Sequence, residues 1–154
     1  MKNGKYIKNG DECWYLNGEL HRTDGPAIIR PNGSHFWYLN GELHRTDGPA
    51  YINSDRNQSW YLNGKLHRTD GPAVIYPNGS QEWYLNGELH RMDGPAVIYP
   101  KGHQEWWVNG KEVNKDIFNF ILGCTMEELI PYIFYPQYKD YKPLVEDRLR
   151  RDKG

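Results

Sequence analysis

Alanine, the strongest helix former, occurs only four times in 154 residues, which excludes an ordinary helical domain. Cysteine occurs twice, as Cys13 and Cys124. That is too few to staple a secreted scaffold and fits a reducing cytoplasm. A surplus of positive charge is also missing: 19 Lys and Arg face 20 Asp and Glu, for a net charge of −1. Nothing here would hold a phosphate backbone, so nucleic acid is not an expected partner. No apolar run approaches the roughly 18 residues of a membrane span. Met1-Lys2-Asn3-Gly4-Lys5-Tyr6 does not read as an apolar signal segment. The expectation is a cytoplasmic chain of single-domain size with no membrane partner. What the chain has in abundance is aromatic side chains, at 14%, and 16 glycines.

An internal repeat accounts for that imbalance. Trp14, Trp37, Trp60, Trp83 and Trp106 recur every 23 residues. Four full copies begin at the first four of these, and a fifth begins at Trp106 and departs after Val113. A half copy, Lys8-Asn9-Gly10-Asp11-Glu12-Cys13, precedes the first. All four alanines sit in an Asp-Gly-Pro-Ala element.

Within a copy the apolar period is two. Trp and Leu of Trp37-Tyr38-Leu39 share one face and Tyr points to the other. Asn-Gly joins the β-rich runs, the strongest short hairpin signal because a type I′ turn needs positive φ at both central residues. Asn32-Gly33 and Asn78-Gly79 are expected to join an Ala-Val-Ile-Tyr-type strand to the next Trp-Tyr-Leu strand. A second Asn-Gly, as at Asn40-Gly41, ends the Trp-Tyr-Leu strand. Leu-His-Arg-Thr-Asp-Gly-Pro then returns the chain, with Pro fixing φ. The pattern predicts a β-hairpin array.

The 23-residue period resembles the membrane occupation and recognition nexus (MORN) repeat. So does the order Tyr-Pro-Asn-Gly-Ser (Tyr76 to Ser80), aromatic strand, and Asn-Gly-Lys-Leu-His (Asn63 to His67). The likeness is greatest to the divergent Trp-Tyr-Leu-Asn-Gly…His-Arg-x-Asp-Gly-Pro-Ala form of phage and giant-virus proteins, and spans about residues 7–113. It implies a mainly β fold: an elongated, single-layer antiparallel sheet used for binding, with no enzymatic chemistry and no cofactor of its own. The viral likeness implies a host factor, such as a defence component, blocked by occupancy in the host cytoplasm.

After Val113 the pattern turns helical, so residues 1–113 are expected to form the array and 114–154 a helical C-terminal cap. Asp116–Leu122 followed by Gly123 reads as a helix with a glycine C-cap. Thr125-Met126-Glu127-Glu128 is a capping box opening a second helix, which Pro131 should shorten or kink. Lys142–Leu149, with Pro143 in its first turn, reads as a third. An array ends in uncovered edges, and such a tail is expected to cover one.

His-Arg-x-Asp occurs four times (His21/Arg22/Asp24, His44/Arg45/Asp47, His67/Arg68/Asp70, His90/Arg91/Asp93). Two strands per copy put equivalent residues about 10 Å apart, too far for two His to share a zinc ion at about 2 Å each. No metal is expected: Asp should cap its turn or pair with Arg, and His should bond the adjoining loop. The same spacing prevents the Trp rings from stacking on one another. Ile29, Ile52, Ile75 and Ile98, with Leu16, Leu39, Leu62 and Leu85, are expected to fill between them as core.

Tyr15, Tyr38, Tyr61, Tyr84 and, in the fifth copy, Trp107 lie on the opposite face. A single sheet cannot bury both faces against itself, so this ladder must meet the tail, a second copy of the chain (a homodimer) or a partner. Tyrosine is favoured at interfaces. Asp55-Arg56 replaces Asn-Gly in the second copy and should reshape that hairpin tip and expose Arg56. The positions just before each Trp also vary (His35-Phe36, Gln58-Ser59, Gln81-Glu82, Gln104-Glu105) and can carry specificity. The expected partner-binding residues are Tyr15, Tyr38, Tyr61, Tyr84, Trp107, Arg56, Arg45 and Arg68, with no catalytic residue. The alternative is a protein that sequesters a nucleotide or similar planar anion against aromatic and Arg side chains. Cys124, beside a helix start, has either a lowered pKa or a buried, inert thiol.

Overall fold

The computed structural model describes residues 1–134, 139 and 141–151. It is mainly β, an array of antiparallel hairpins with a small helical cap. The chain divides into two compact units, Met1–Glu88 and Leu89–Gly154.

In the first unit each copy makes two hairpins rather than one hairpin and a return. The first hairpin pairs Ile28–Ile29 with His35–Phe36, Tyr51–Ile52 with Gln58–Ser59, and Val74–Ile75 with Gln81–Glu82. These join edge to edge into one antiparallel sheet that starts with Gly4–Lys8 and Asp11–Leu16. The second hairpin pairs Tyr15 with Leu20, Tyr38 with Leu43 and Tyr61 with Leu66 across its Asn-Gly turn. Successive second hairpins are linked through the backbone: Gly41 N–H donates to Leu20 O, Gly64 to Leu43 O and Gly87 to Leu66 O, at 2.9, 2.9 and 2.8 Å. Trp37 and Trp60 stand at the break between the two hairpins, each donating its N–H to the Ala carbonyl thirteen residues on, at 2.8 Å.

The two Asn-Gly turns differ, because one follows proline. In the second hairpin Asn40 and Gly41 have φ of 49° and 78°, as the type I′ turn requires. At Arg30-Pro31-Asn32-Gly33-Ser34 only Gly33 is left-handed, at φ 86°. Gly33 N–H donates to Arg30 O and Arg30 N–H to Ser34 O, both at 2.9 Å. This is a type I turn closed by a left-handed residue. The expected type I′ geometry at Asn32-Gly33 needs the N–H of the preceding residue to bond across the turn, and Pro31 has none. Where Lys8 stands in place of Pro, Asn9 and Gly10 are both positive (53° and 87°) and type I′ returns.

The Asp55-Arg56 tip keeps the same backbone, against the expectation of a new shape. Arg56 N–H donates to Asn53 O and Asn53 N–H to Asn57 O, with Arg56 at φ 68° in the glycine position. Asn53 Oδ1 fastens the loop by accepting from the N–H groups of Asp55 and Asn57 at 3.0 and 2.8 Å. A left-handed non-glycine costs about 1 kcal/mol, part of which glycine forfeits in the unfolded chain. Arg56→Gly is therefore expected to stabilise the protein by about 0.5 kcal/mol in urea denaturation. A loss instead would show that the Arg56 side chain carries a stabilising contact.

The fully buried positions of the first unit are small: Ala27, Ala50 and Ala73, then Ser34, Ser59 and Ser80, with Cys13 and Val74. The Ile and Leu rows expected as core are only half-buried, and Leu16 is 45% exposed. Strands two residues long leave no flank wide enough to cover a large side chain, so full burial falls mostly on small residues.

The second unit continues the pattern with Val97–Ile98, Gln104–Val108 and Lys111–Val113, then closes it with helices α1 (Lys115–Gly123), α2 (Met126–Phe134) and α3 (Lys142–Arg151). Asn114 caps α1, its Oδ1 accepting from Asp116 and Ile117. Gly123 is the last helical residue, not a left-handed cap; α1 ends where Cys124 turns extended at φ −73°. The capping box is present: Glu128 N–H donates to Thr125 Oγ1, and Thr125 N–H to Glu128 Oε2 at 2.7 Å. α2 continues through Pro131, whose missing N–H removes only the bond to the Glu127 carbonyl. Phe118, Ile121, Leu129, Leu144 and Val145 form one core with Met92, Val108 and Val113. The cap thus covers the last copy of the repeat.

Candidate functional site

The His-Arg-x-Asp-Gly-Pro loops build a clamp within each copy. Arg45 lays its guanidinium 4.2 Å from the centre of the Trp37 ring, while Nε donates to Asp47 Oδ1 at 2.7 Å and Nη1 to Pro49 O at 3.3 Å. Gly48 lies on the other side: a Cβ there would sit 3.0 Å from Arg45 Cζ. Arg22 on Trp14 and Arg68 on Trp60 repeat the arrangement at 4.0 Å. In these three copies the arginine of the same copy therefore stands over the Trp ring. The signal was the constant spacing of eight residues from Trp to Arg, which is invisible to a strand-period reading because a loop intervenes.

The histidines fasten one copy to the next. His21, His44 and His67 place Nδ1 at 2.9, 2.8 and 2.9 Å from Oδ1 of Asn40, Asn63 and Asn86. The backbone N–H of each Asn also points to that nitrogen. Arg45 N–H donates to Tyr61 O in parallel. His, Arg and Asp are thus engaged in structural bonds. The Arg guanidinium holds the carboxyls of Asp24, Asp47 and Asp70 below the usual carboxylate range, first by hydrogen bond and then by charge. Among the described residues, no group of three or more His, Cys, Asp and Glu is placed to hold a metal.

Between successive loops of the first unit lie two similar grooves. One, of about 500 Å³, has Trp37 and Leu39 on its floor and the loops around Arg22–Gly25 and Arg45–Asp47 as walls. The other, of about 590 Å³, has Trp60 and Leu62 on its floor and the loops around Arg45–Pro49 and Arg68–Asp70 as walls. Arg45 and Arg68 therefore stand at the grooves, while Tyr38 and Tyr61 do not line them.

The tyrosines form the opposite row. Tyr38, Tyr61 and Tyr84 are half-buried, and burial raises the pKa of all three. Their neighbours change from copy to copy. Phe36 stacks on Tyr51 at 4.7 Å under Arg30. Ser59, buried, takes the Phe36 position in the next copy, and Glu82 takes it in the one after. Glu82 accepts from Tyr76 Oη at 3.2 Å and bonds Tyr84. Tyr15, at the first rung, meets Tyr6 edge-on at 5.7 Å with Lys2 over its ring. In the second unit Trp107 Nε1 donates to Glu105 Oε2 at 3.0 Å. Arg56 sits exposed at its hairpin tip. The predicted residues therefore do not make one site: the Tyr row, the two groove arginines and Arg56 occupy three separate places.

Burial first, then the Glu82 carboxylate, pushes Tyr84 up to about 12. A raised folded pKa favours the neutral phenol, so its stabilisation is complete below pH 10, the unfolded value, and is lost as pH rises through about 12. Urea midpoints are expected to fall between those values, and less so in Glu82→Gln. An equal fall in both would exclude the pair as its cause. Cys13 and Cys124 are buried and unpaired, with thiols raised first by burial and then by Asp11 and Glu128 respectively. Cys124 is thus the buried, inert case. Among the described residues, no helix is long and apolar enough to cross a membrane.

No protein-family model matches this chain, and neither does any curated protein.

Proposed function

We propose that this chain is a non-enzymatic, MORN-like repeat protein that binds another protein. The observation that carries the reading is the tyrosine row: a half-buried aromatic recurs in each copy, while its neighbour changes from Phe36 to Ser59 to Glu82. A constant large anchor among variable neighbours is what a specific protein interface requires. The groove side supports the same reading. Each arginine is largely covered and already donates to its own aspartate and to a proline carbonyl, so its guanidinium is not left to fork a phosphate. An enzyme concentrates its chemistry in one constellation, whereas here the polar groups are spent, copy after copy, on holding the array together.

The test is affinity capture with the full chain, followed by native mass spectrometry. Wild type is expected to recover one protein in near-stoichiometric amount. Tyr38→Ala combined with Tyr61→Ala should weaken that capture by about tenfold or more while far-UV circular dichroism is unchanged. A bound small mass in place of a protein would favour the sequestering alternative. Unfolding of the double variant would assign the row to the core and remove the basis of the proposal.

A further inference from the structure

The same surface of the repeat occurs open in the first unit and covered in the second. At the covered surface, Met92 of the fourth copy stands where Thr23, Thr46 and Thr69 stand in the first three, beside the partial fifth copy. Met92 is 3% exposed, whereas the three threonines are exposed. Val108 replaces the groove-floor Leu and Val113 replaces His, and both are buried. Lys115 Nζ lies 5.3 Å over Trp106, the station that Arg22, Arg45 and Arg68 hold over their own Trp rings. Over this surface pack Phe118 and Ile121 of α1. The chain therefore carries its own example of what seats on a Trp floor beside a His-Arg-x-Asp loop, namely the apolar face of an amphipathic helix.

The two grooves of the first unit present that floor uncovered, as Trp37 with Leu39 and Trp60 with Leu62. They share the wall formed by Arg45, Thr46 and Asp47 and repeat with the copies, about 10 Å apart. A helix advances about 10.5 Å in seven residues. A helix laid along the array would thus bring residues i and i+7 into neighbouring grooves. Along the rim the carboxylates of Asp24, Asp47 and Asp70 are 79%, 80% and 79% exposed, positions for Lys or Arg on the flanks of such a helix.

We infer that the groove face of the first unit docks an amphipathic helix of a partner protein, with apolar residues at seven-residue intervals seated in successive grooves and basic residues on its flanks. The inference rests on the protein-binding reading and specifies the partner's chemistry on the face opposite the tyrosines.

The probe is a synthetic helical peptide of about 20 residues with Phe or Leu every seventh position and Lys on its flanks. It is titrated into the full chain by fluorescence anisotropy, with amide NMR shifts as the map. Binding is expected to be saturable and to shift Thr23, Thr46, Thr69 and the Trp37 and Trp60 indoles. Thr46→Lys puts a charge into the shared wall at an exposed position, and should weaken binding about tenfold or more with the thermal midpoint unchanged. A peptide of the same composition with its apolar residues five apart should bind about tenfold more weakly. The inference is overturned by equal affinity for the two spacings, by an intact affinity in Thr46→Lys, by shifts on the Tyr38 and Tyr61 face, or by no binding at about 1 mM. It is also overturned if sedimentation shows that the chain self-associates through this wall, since a second copy would then be the occupant. Peptide failure alongside tyrosine-dependent capture would remove the helix inference and leave the protein-binding reading standing.

Discussion

Met92→Thr is expected to destabilise the second unit by about 2–4 kcal/mol. The substitution restores the residue found in the other three copies, so by repeat logic alone it should be harmless. Its environment says otherwise. Met92 is 3% exposed in a cluster with Val108, Val113, Phe118, Ile121 and Leu129. Threonine there would leave a cavity where the thioether lay and bury a hydroxyl among apolar side chains. The reciprocal change, Thr46→Met, falls at an exposed position and should alter stability by no more than about 0.5 kcal/mol. Hydrogen exchange gives the readout for each unit separately. Amides of α1 should exchange faster in Met92→Thr, and those of Tyr38–Leu39 should not change. If Met92→Thr leaves the α1 amides as protected as in wild type, the cap does not depend on this contact and its docking has been misassigned.

Much of the architecture could be read from the sequence because the repeat states it several times. The Trp-to-Trp period of 23, both Asn-Gly turns, the Asp-Gly-Pro punctuation, the Thr125–Glu128 box and three helices after Val113 were all local signals. What escaped was non-local or was set by a single neighbouring residue. Pro31 decides the turn type at Asn32-Gly33 because it lacks the N–H that closes a type I′ hairpin, and a dipeptide rule ignores the residue before it. The second hairpin of each copy was hidden because its strands, such as Tyr38–Leu39 and Glu42–Leu43, are two residues long. That is too short for alternation to register. The core departs from expectation for a related reason: hydrophobicity points to Ile52 and Leu39, which are half-buried, whereas the fully buried positions of the first unit are Ala and Ser with Cys13 and Val74.

Where the candidate residues lie relative to one another is less legible in the sequence than the fold. The sequence groups Arg45 and Arg68 with the tyrosines as partner-binding side chains and gives no sign that a guanidinium will fold back onto a Trp across a His-containing loop. The Met at position 92 was present in the sequence as the one departure from His-Arg-Thr-Asp, and it marks where the cap sits. Its meaning depends on Phe118 and Ile121, which lie about two helical turns beyond the end of the repeat pattern.

The arginine clamp yields the sharpest energetic test, because it predicts how two substitutions interact. Arg45→Ala removes the ring contact with Trp37, the bond to the Pro49 carbonyl and the packed aliphatic stem, and should cost about 2–3 kcal/mol in urea denaturation. The Asp47 carboxylate is 80% exposed, so Asp47→Asn should cost much less than Arg45→Ala. Gly48 has no need of a left-handed backbone, and alanine there is conformationally acceptable. Its cost comes from the 3.0 Å approach of the new Cβ to Arg45 Cζ, with Trp37 preventing retreat on the opposite face of the guanidinium. Gly48→Ala alone should therefore cost about 1–2 kcal/mol. On the Arg45→Ala background that cost should vanish, giving a coupling energy of about 1 kcal/mol or more between the two positions. Additive losses in the double variant would mean that Arg45 is not pinned between the Trp37 ring and the Gly48 backbone. The groove wall that depends on that pinning would then lose its fixed shape.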